Sequence, residues 1–278
     1  MKRPAHDPQA NRRYHERVAP RYDEIYKGPR WTAWYELSWS AMKAHVPRDL
    51  RAPIVDLGCG TGHYGLRLAK SGYAVTLSDL APGMLESARR KAAEMELLER
   101  VTFVQADVLD LGALPPGHFG LAVAQGDVLS FATRPPQALR EIRKILRPGG
   151  ILIASVDQTY AGLAHYAEKG DLDGLERLVR RREMEWLAHA QAERFPVHTF
   201  SAEDLRALLD DCGFEVLDLF GKTVLPFKKL EALLEAPEHL ERILALEKSL
   251  CRRPSALGLA SHLQFAARLK GANNGVVE

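Results

Sequence analysis

The sequence predicts a doubly wound α/β fold, a parallel sheet covered by helices on both faces. Two observations carry this. Short apolar runs alternate with stretches whose apolar residues recur at helical spacing, and the connections between them are brief. Each right-handed crossover between parallel strands lays its helix on one face, so such alternation buries the sheet on both sides.

The first strand is Ile54-Val55-Asp56-Leu57, which ends in glycines and gives way to a helix marked by Tyr64, Leu66, Leu68 and Ala69. The second, Ala74 to Asp79, is followed by Pro82 at a helix start and by Met84, Leu85, Ala88 and Ala92. Val101 to Val104 and Phe119 to Ala124 read as the third and fourth strands. Leu139, Ile142, Ile145 and Leu146 then mark a helix stopped by Pro148-Gly149-Gly150, and Ile151 to Val156 is the fifth strand.

Beyond it, residues 157–198 hold no strand-like run, while Leu175, Leu178, Val179, Trp186, Leu187 and Ala190 keep helical spacing. A helical insertion is expected there, a lid over the carboxyl ends of the strands to which Tyr160, Tyr166 and Trp186 contribute. Ser201-Ala202-Glu203-Asp204 opens a further helix that ends at Gly213. Phe214 to Phe220 is a strand, residues 230–250 are helical, and His262 to Arg268 is a last strand. The expected organisation is a helical segment at 1–48, a ligand-binding core at 49–156, a lid at 157–200 and the rest of the sheet with a helical insertion at 201–278.

With 46% hydrophobic and 27% charged residues among 278, the chain can bury a sizeable core. A net charge of +2 argues against nucleic acid or an anionic membrane as partner, although Arg180-Arg181-Arg182 is a local basic run. Cys59, Cys212 and Cys251 lack metal-site or disulfide spacing, so no metal is expected. The beginning of the chain has no secretory pattern and no stretch is apolar enough to span a bilayer, which makes the cytoplasm the expected location.

Glycines directly after a first strand allow close approach of a ligand to the backbone and aim the next helix's N-terminus at it. Gly60-Thr61-Gly62-His63-Tyr64-Gly65 satisfies the dinucleotide spacing as well, so the glycines alone leave NAD and S-adenosylmethionine both open. Asp56, two positions before Gly58, is expected beside the ligand, where a carboxylate repels a pyrophosphate and favours a cofactor carrying an ammonium. Asp79 can accept both ribose hydroxyls from the end of the second strand. Asp107 can accept the adenine amino group, with Val108 beside the ring.

Val55-Asp56-Leu57-Gly58-Cys59-Gly60-Thr61-Gly62, Asp79 with Met84, Asp107-Val108, and Leu146-Arg147-Pro148-Gly149-Gly150 resemble, in this order, the motifs of the class I S-adenosylmethionine-dependent methyltransferases. The resemblance spans about residues 52–156. It implies a Rossmann-like seven-stranded sheet of order 3-2-1-4-5-7-6 with the last strand antiparallel. It further implies Gly58, Cys59 and Gly60 against the methionine moiety, Asp79 on the ribose, Leu80 and Met84 flanking the adenosine, and Asp107-Val108 on adenine. The fourth-strand motif, Ala124-Gln125-Gly126-Asp127, departs from the signature of enzymes that methylate exocyclic amines of bases and places Gln125 at the cofactor. Tyr14 and Arg21-Tyr22-Asp23 resemble the pocket-closing segment of small-molecule members related to the quinone-biosynthesis C-methyltransferases.

Methyl transfer from a sulfonium needs positioning and desolvation, and a base only where the acceptor atom keeps its proton. His198, between the insertion and the Ser201 cap, and then Asp127 are the candidate bases. Tyr22, Trp31, Asp127 and His198 are the candidate acceptor contacts. Trp31, Trp34, Tyr35 and Trp39 either line a pocket or pack a helix. The function expected is methylation of a small-molecule acceptor at O, N or C. The alternatives are an RNA or protein methyltransferase, an NAD-dependent oxidoreductase, or a non-catalytic adenosyl-ligand-binding protein.

Overall fold

The computed structural model describes residues 9–186 and 190–271. Its strands are β1 (Ile54–Leu57), β2 (Val75–Asp79), β3 (Val101–Gln105), β4 (Phe119–Ala124), β5 (Leu146–Gln158), β6 (Glu183–Trp186), β7 (Phe195–Phe200), β8 (Phe214–Lys222) and β9 (His262–Leu269). All nine join one sheet where seven strands were expected; seven of them run in the order β3-β2-β1-β4-β5-β9-β8, with β1 to β5 parallel and β9 antiparallel to both its neighbours. The expected order and the antiparallel last strand are present, β8 and β9 being the sixth and seventh strands of that scheme.

Residues of alternate direction along the central strands feed two cores. Val55, Leu57, Ala122 and Ala124 pack with Leu139, Ile142, Leu205, Leu209 and Phe214 on one face. Ile54, Leu121 and Val123 pack with Met42, Leu66, Leu68 and Ala88 on the other. Complete burial of β1 and β4 explains why their sequences do not alternate with solvent-facing polar residues, since a parallel strand covered on both sides has no solvent face; the one charged residue, Asp56, is itself buried.

The insertion differs from its purely helical expectation. It contains the helices Ala161–Glu168 and Leu172–Arg181, the second capped by the Asp171 side chain accepting from Gly174 N–H at 2.8 Å, but then turns into an antiparallel pair, β6 with β7. The alternation of Phe195, Val197 and Thr199 as buried positions is the period of two that identifies β7. Trp186, counted to the helix in the sequence, lies on β6, and Leu187 is outside the described residues. β7 joins the main sheet only through Asp157↔Thr199 and Gln158↔Phe200, at the carboxyl end of β5. Among the described residues no helix is long and apolar enough to cross a membrane.

Two buried carboxylates stitch loops to this frame. Asp56 at the end of β1 accepts the Gly65 N–H at 2.8 Å and so fixes the first turn of the helix His63–Lys70. Gly65 is required there because a Cβ would lie 2.1 Å from Leu77 Cδ2. Glu247 accepts the N–H groups of Val224 and Leu225 at 2.7 and 2.9 Å, holding the turn that follows Lys222, in which Thr223 has a φ of 60°.

Removing either anchor has a measurable cost. Glu247→Ala orphans two backbone donors and is expected to lower unfolding stability by about 2–4 kcal/mol in denaturant titration; a change below about 0.5 kcal/mol contradicts the anchor. Burial pushes the Asp56 carboxyl from 3.8 up to about 7, opposed by the Gly65 N–H. The folded state therefore binds the proton more tightly than the unfolded chain, and this contribution is present at low pH and lost as pH rises from 3.8 toward about 7. Asp56→Asn, which can still accept from Gly65, is expected to remove that fall in stability over the same window, and a pH–stability curve parallel to the wild type contradicts the assignment.

Candidate active site

The carboxyl ends of β1 to β5 open into one cavity of about 530 Å³. This is where an open α/β sheet binds its ligands, because the strand ends and the loops after them diverge around the point where strand order reverses. The helices Ala10–Val18 and Tyr22–Ile25 close it from the N-terminal side, and Trp186, Phe195 and Pro196 of the β6–β7 pair close it from the insertion.

The glycine loop forms the floor. Gly58, Gly60 and Gly62 have φ of 58°, 54° and 87°, the left-handed region that L side chains rarely adopt. A Cβ on Gly58 would also meet Val128 Cγ2 at 2.6 Å. Gly60 N–H donates to Asp79 Oδ2 at 2.8 Å, and Ala81 N–H donates to Asp79 Oδ1 at 2.9 Å. Asp79 thus ties the loop after β1 to the loop after β2, and each of its oxygens keeps a lone pair for a ligand hydroxyl. Burial raises its carboxyl, opposed by those N–H groups and by His15; burial likewise lowers His15, which lines the cavity from the N-terminal helix.

Leu80, Asp107 and Val108 continue the wall, with Asp107 Oδ1 accepting from Leu109 N–H at 2.9 Å. Tyr22 covers the loop: a Cβ on Gly60 would be 3.8 Å from Tyr22 Cε1. Its segment is held down where Thr61 Oγ1 donates to Asp23 Oδ1 at 2.6 Å and Lys91 pairs with Asp23 at 2.5 Å. Cys59 lines the cavity, but burial, reinforced by Asp79 and Asp56, pushes its thiol well up, which keeps it protonated and unsuited to nucleophilic attack.

The donor set suits a cationic cofactor with a nucleoside part. Asp79, Asp107 and Asp127 all line the cavity, an environment hostile to a pyrophosphate and favourable to an ammonium and a sulfonium. Both amide atoms of Gln125, at the end of β4, are buried with no protein partner, which is costly unless a ligand satisfies them. Gly58, Gly60, Asp79, Leu80, Asp107, Val108 and Gln125 are the residues that would hold S-adenosylmethionine.

Three expectations are corrected. Asp56 is absent from the cavity wall and serves the Gly65 N–H, so the repulsion of a pyrophosphate falls to the lining carboxylates instead. Met84 is fully buried beneath the N-terminal segment, with Val18, Ala19 and Ala81, and flanks no part of the cavity. His198 sits on β7, not in a loop; its Nε2 lies 3.2 Å from the Thr133 carbonyl, and it does not line the cavity. The aromatic cluster divides: Trp31, Trp34 and Tyr35 line the cavity, whereas Trp39 packs in the core under the Arg67 guanidinium. Tyr166 is buried against Gly174, and neither it nor Tyr160 reaches the wall.

Asp127 does line the cavity, with a φ of 66° that is unusual for a residue other than glycine and its N–H 3.3 Å from Ser155 Oγ. Beside it stand three cavity residues that the sequence reading missed: Tyr26, Asp157 and His262. Asp157 obeys the rule that singled out Asp79, an acid at a strand's carboxyl end. His262 opens β9, and in an antiparallel strand the first residue falls at the carboxyl edge of its parallel neighbours.

Residues 54–150 match the model of a methyltransferase domain family. The chain is similar to the tRNA 5-carboxymethoxyuridine methyltransferase of Escherichia coli, with 22% identity over 222 residues that cover 80% of this chain and 81% of that protein. It is similar to the demethylmenaquinone methyltransferase of Thermus thermophilus, with 36% identity over 140 residues that cover 49% and 60%. A crystal structure of an S-adenosylmethionine-dependent methyltransferase from Mesorhizobium loti shares the fold, with a TM-score of 0.54 at 20% identity over 84% of this chain and 97% of that one. With these motifs arranged in this order around one cavity, residues 54–150 form a methyltransferase domain of the class I S-adenosylmethionine-dependent type.

Proposed function

We propose that this enzyme methylates a small molecule enclosed in the same cavity as its cofactor. The observation that carries the reading is the continuity of that cavity: the glycine loop, Asp79 and Gln125 share it with an aromatic wall of Tyr26, Trp31, Trp34, Tyr35, Phe131 and Trp186. About 530 Å³ lies within the usual range for small-ligand sites, and such a wall suits a flat, partly apolar acceptor.

The bound cofactor supplies an electrophilic methyl group on a sulfonium. The chain's own residues position and desolvate the acceptor against it, which is most of what such a displacement needs. Tyr22 and the β6–β7 pair exclude water from above, and Asp127 brings a carboxylate to the acceptor side.

The tRNA-modifying relative makes RNA the rival acceptor. Two of the arginines that would serve a polyanion are already engaged: Arg180 lies 3.6 Å from Glu176, and Arg182 pairs with Asp204 at 3.0 Å. That arrangement favours a solvated, internally balanced face over a basic groove.

Incubation with methyl-labelled S-adenosylmethionine, a small-metabolite extract and total tRNA, in separate reactions, tests the reading. Label is expected in the small-molecule fraction, and label in tRNA alone contradicts it. Asp79→Ala is expected to weaken S-adenosylhomocysteine binding roughly 10-fold to 100-fold by calorimetry, through loss of charge-assisted hydrogen bonds; unchanged affinity removes Asp79 from the cofactor site. Trp31→Ala is expected to raise the acceptor KM by roughly 10-fold, the loss of one aromatic contact, with cofactor affinity retained. A change in cofactor affinity alone would contradict its place on the acceptor side.

A further inference from the structure

The sheet register sets three ionisable side chains in one row. Asp157 on β5 is paired with His262 on β9, and His262 with Lys222 on β8. Opposed residues of neighbouring strands project to the same face, so the row is built into the topology and not into a mobile loop. Asp127, from the loop after β4, completes a cluster in which His262 Nε2 is 3.5 Å from Asp127 Oδ2 and 3.7 Å from Asp157 Oδ1. Asp127, Asp157 and His262 line the cavity.

The charges of this cluster do not balance while both carboxylates are ionised and His262 is neutral. Lys222 is fully buried, its Nζ has no hydrogen-bond partner, and it rests 3.5 Å from the centre of the Trp34 ring. With His262 neutral, two carboxylates face one ammonium; with a proton on His262, positive and negative charges are equal. Burying an uncompensated charge is expensive, so the cluster favours one additional proton, on Asp157 or on His262. His262 Nδ1 and Asp127 Oδ1 are both buried without a partner, so the cluster retains unused hydrogen-bonding capacity.

Burial, with help from Lys222, lowers His262, opposed by Asp127, so the imidazole is neutral before an acceptor binds. Burial and the neighbouring Asp127 raise Asp157, and burial brings Lys222 down to about 8. Tyr26, which feels both carboxylates, and Tyr64, which feels Asp127, are raised by burial and remain protonated.

We propose that His262, held between Asp127 and Asp157 and backed by Lys222, takes the proton of the methyl acceptor, and that the acceptor is a flat phenol or enol methylated on its oxygen. This rests on the small-molecule reading above. The O–H proton passes to the imidazole. The oxygen keeps the O–H electron pair and uses it to form the new O–C bond to the methyl carbon, while the pair of the breaking C–S bond returns to sulfur. The imidazolium, stabilised by two carboxylates, releases its proton to solvent as product leaves. A histidine oriented by a carboxylate is an established arrangement for such transfer, commonly contributing about 10²-fold to 10⁴-fold in rate. The ligand atoms of Asp127, Asp157 and His262 lie within 4.8 Å of one another, a spacing that a divalent cation could also bridge; the Lys222 ammonium already supplies the positive charge.

The test uses the full chain loaded with S-adenosylhomocysteine and titrated with 4-nitrophenol, at a pH where the free phenol is mostly protonated. Binding of S-adenosylhomocysteine is measured first, and its failure sinks the donor reading and not this one. On wild type the phenolate absorbance band is expected to rise as the phenol binds, with the proton retained by the protein. In His262→Gln, and more weakly in Asp157→Asn, the phenol is expected to bind with at least a 10-fold smaller rise. Three results overturn the proposal: no binding or no ionisation on wild type, equal ionisation in a folded His262→Gln, or ionisation abolished by a chelator and restored by magnesium or zinc. The wild-type arm decides even where a variant fails to fold.

Discussion

The hydrogen bond from Gly60 N–H to Asp79 Oδ2 is the contact on which the site depends. A left-handed glycine turn has no side chain with which to hold its shape, and here a carboxylate from the next strand holds it. The same side chain binds Ala81 N–H and so sets the turn into the following helix. One buried acid therefore fixes the position of the glycine loop, the direction of Leu80 and the place where a nucleoside's hydroxyls can be received. Asp56 does the corresponding work one layer below, through Gly65.

The proposed acceptor side is organised by topology. Reversal of β9 returns the chain to the carboxyl edge of the sheet, so that residues far apart in sequence, Asp127, Asp157, Lys222 and His262, meet behind the aromatic wall. Lys222 holds its place because Glu247 secures the turn after it and the Trp34 ring takes its ammonium. The proposed donor and acceptor halves are thus supported by different strands, β1 to β3 on one side and β4, β5, β8 and β9 on the other, and they join at Gln125 and Asp127.

The residues proposed for the donor half could be named from sequence because they are local, each following its own strand within a few positions. The correction of Met84 came from packing, since helical spacing fixes that a residue is buried but not whether it faces the ligand or the N-terminal helix. Asp56 failed for a related reason: adjacency to the loop in sequence does not say which way the carboxylate turns. The place of His198 between two elements in the sequence does not reveal that it pairs with β6 and lies against the Thr133 carbonyl. His262 was visible as the first residue of a strand. Its role was not, because that depends on the strand running antiparallel and on partners more than a hundred residues away.

The central claim is that one cavity, organised by Asp79, seats the methyl donor beside the aromatic acceptor wall. A crystal structure with S-adenosylhomocysteine bound tests it most directly. The account predicts the ribose hydroxyls on Asp79, adenine beside Val108 and Asp107, and Gln125 no longer without a partner. Density for the ligand outside this cavity, or with Asp79 bonded only to Gly60 and Ala81, would contradict it.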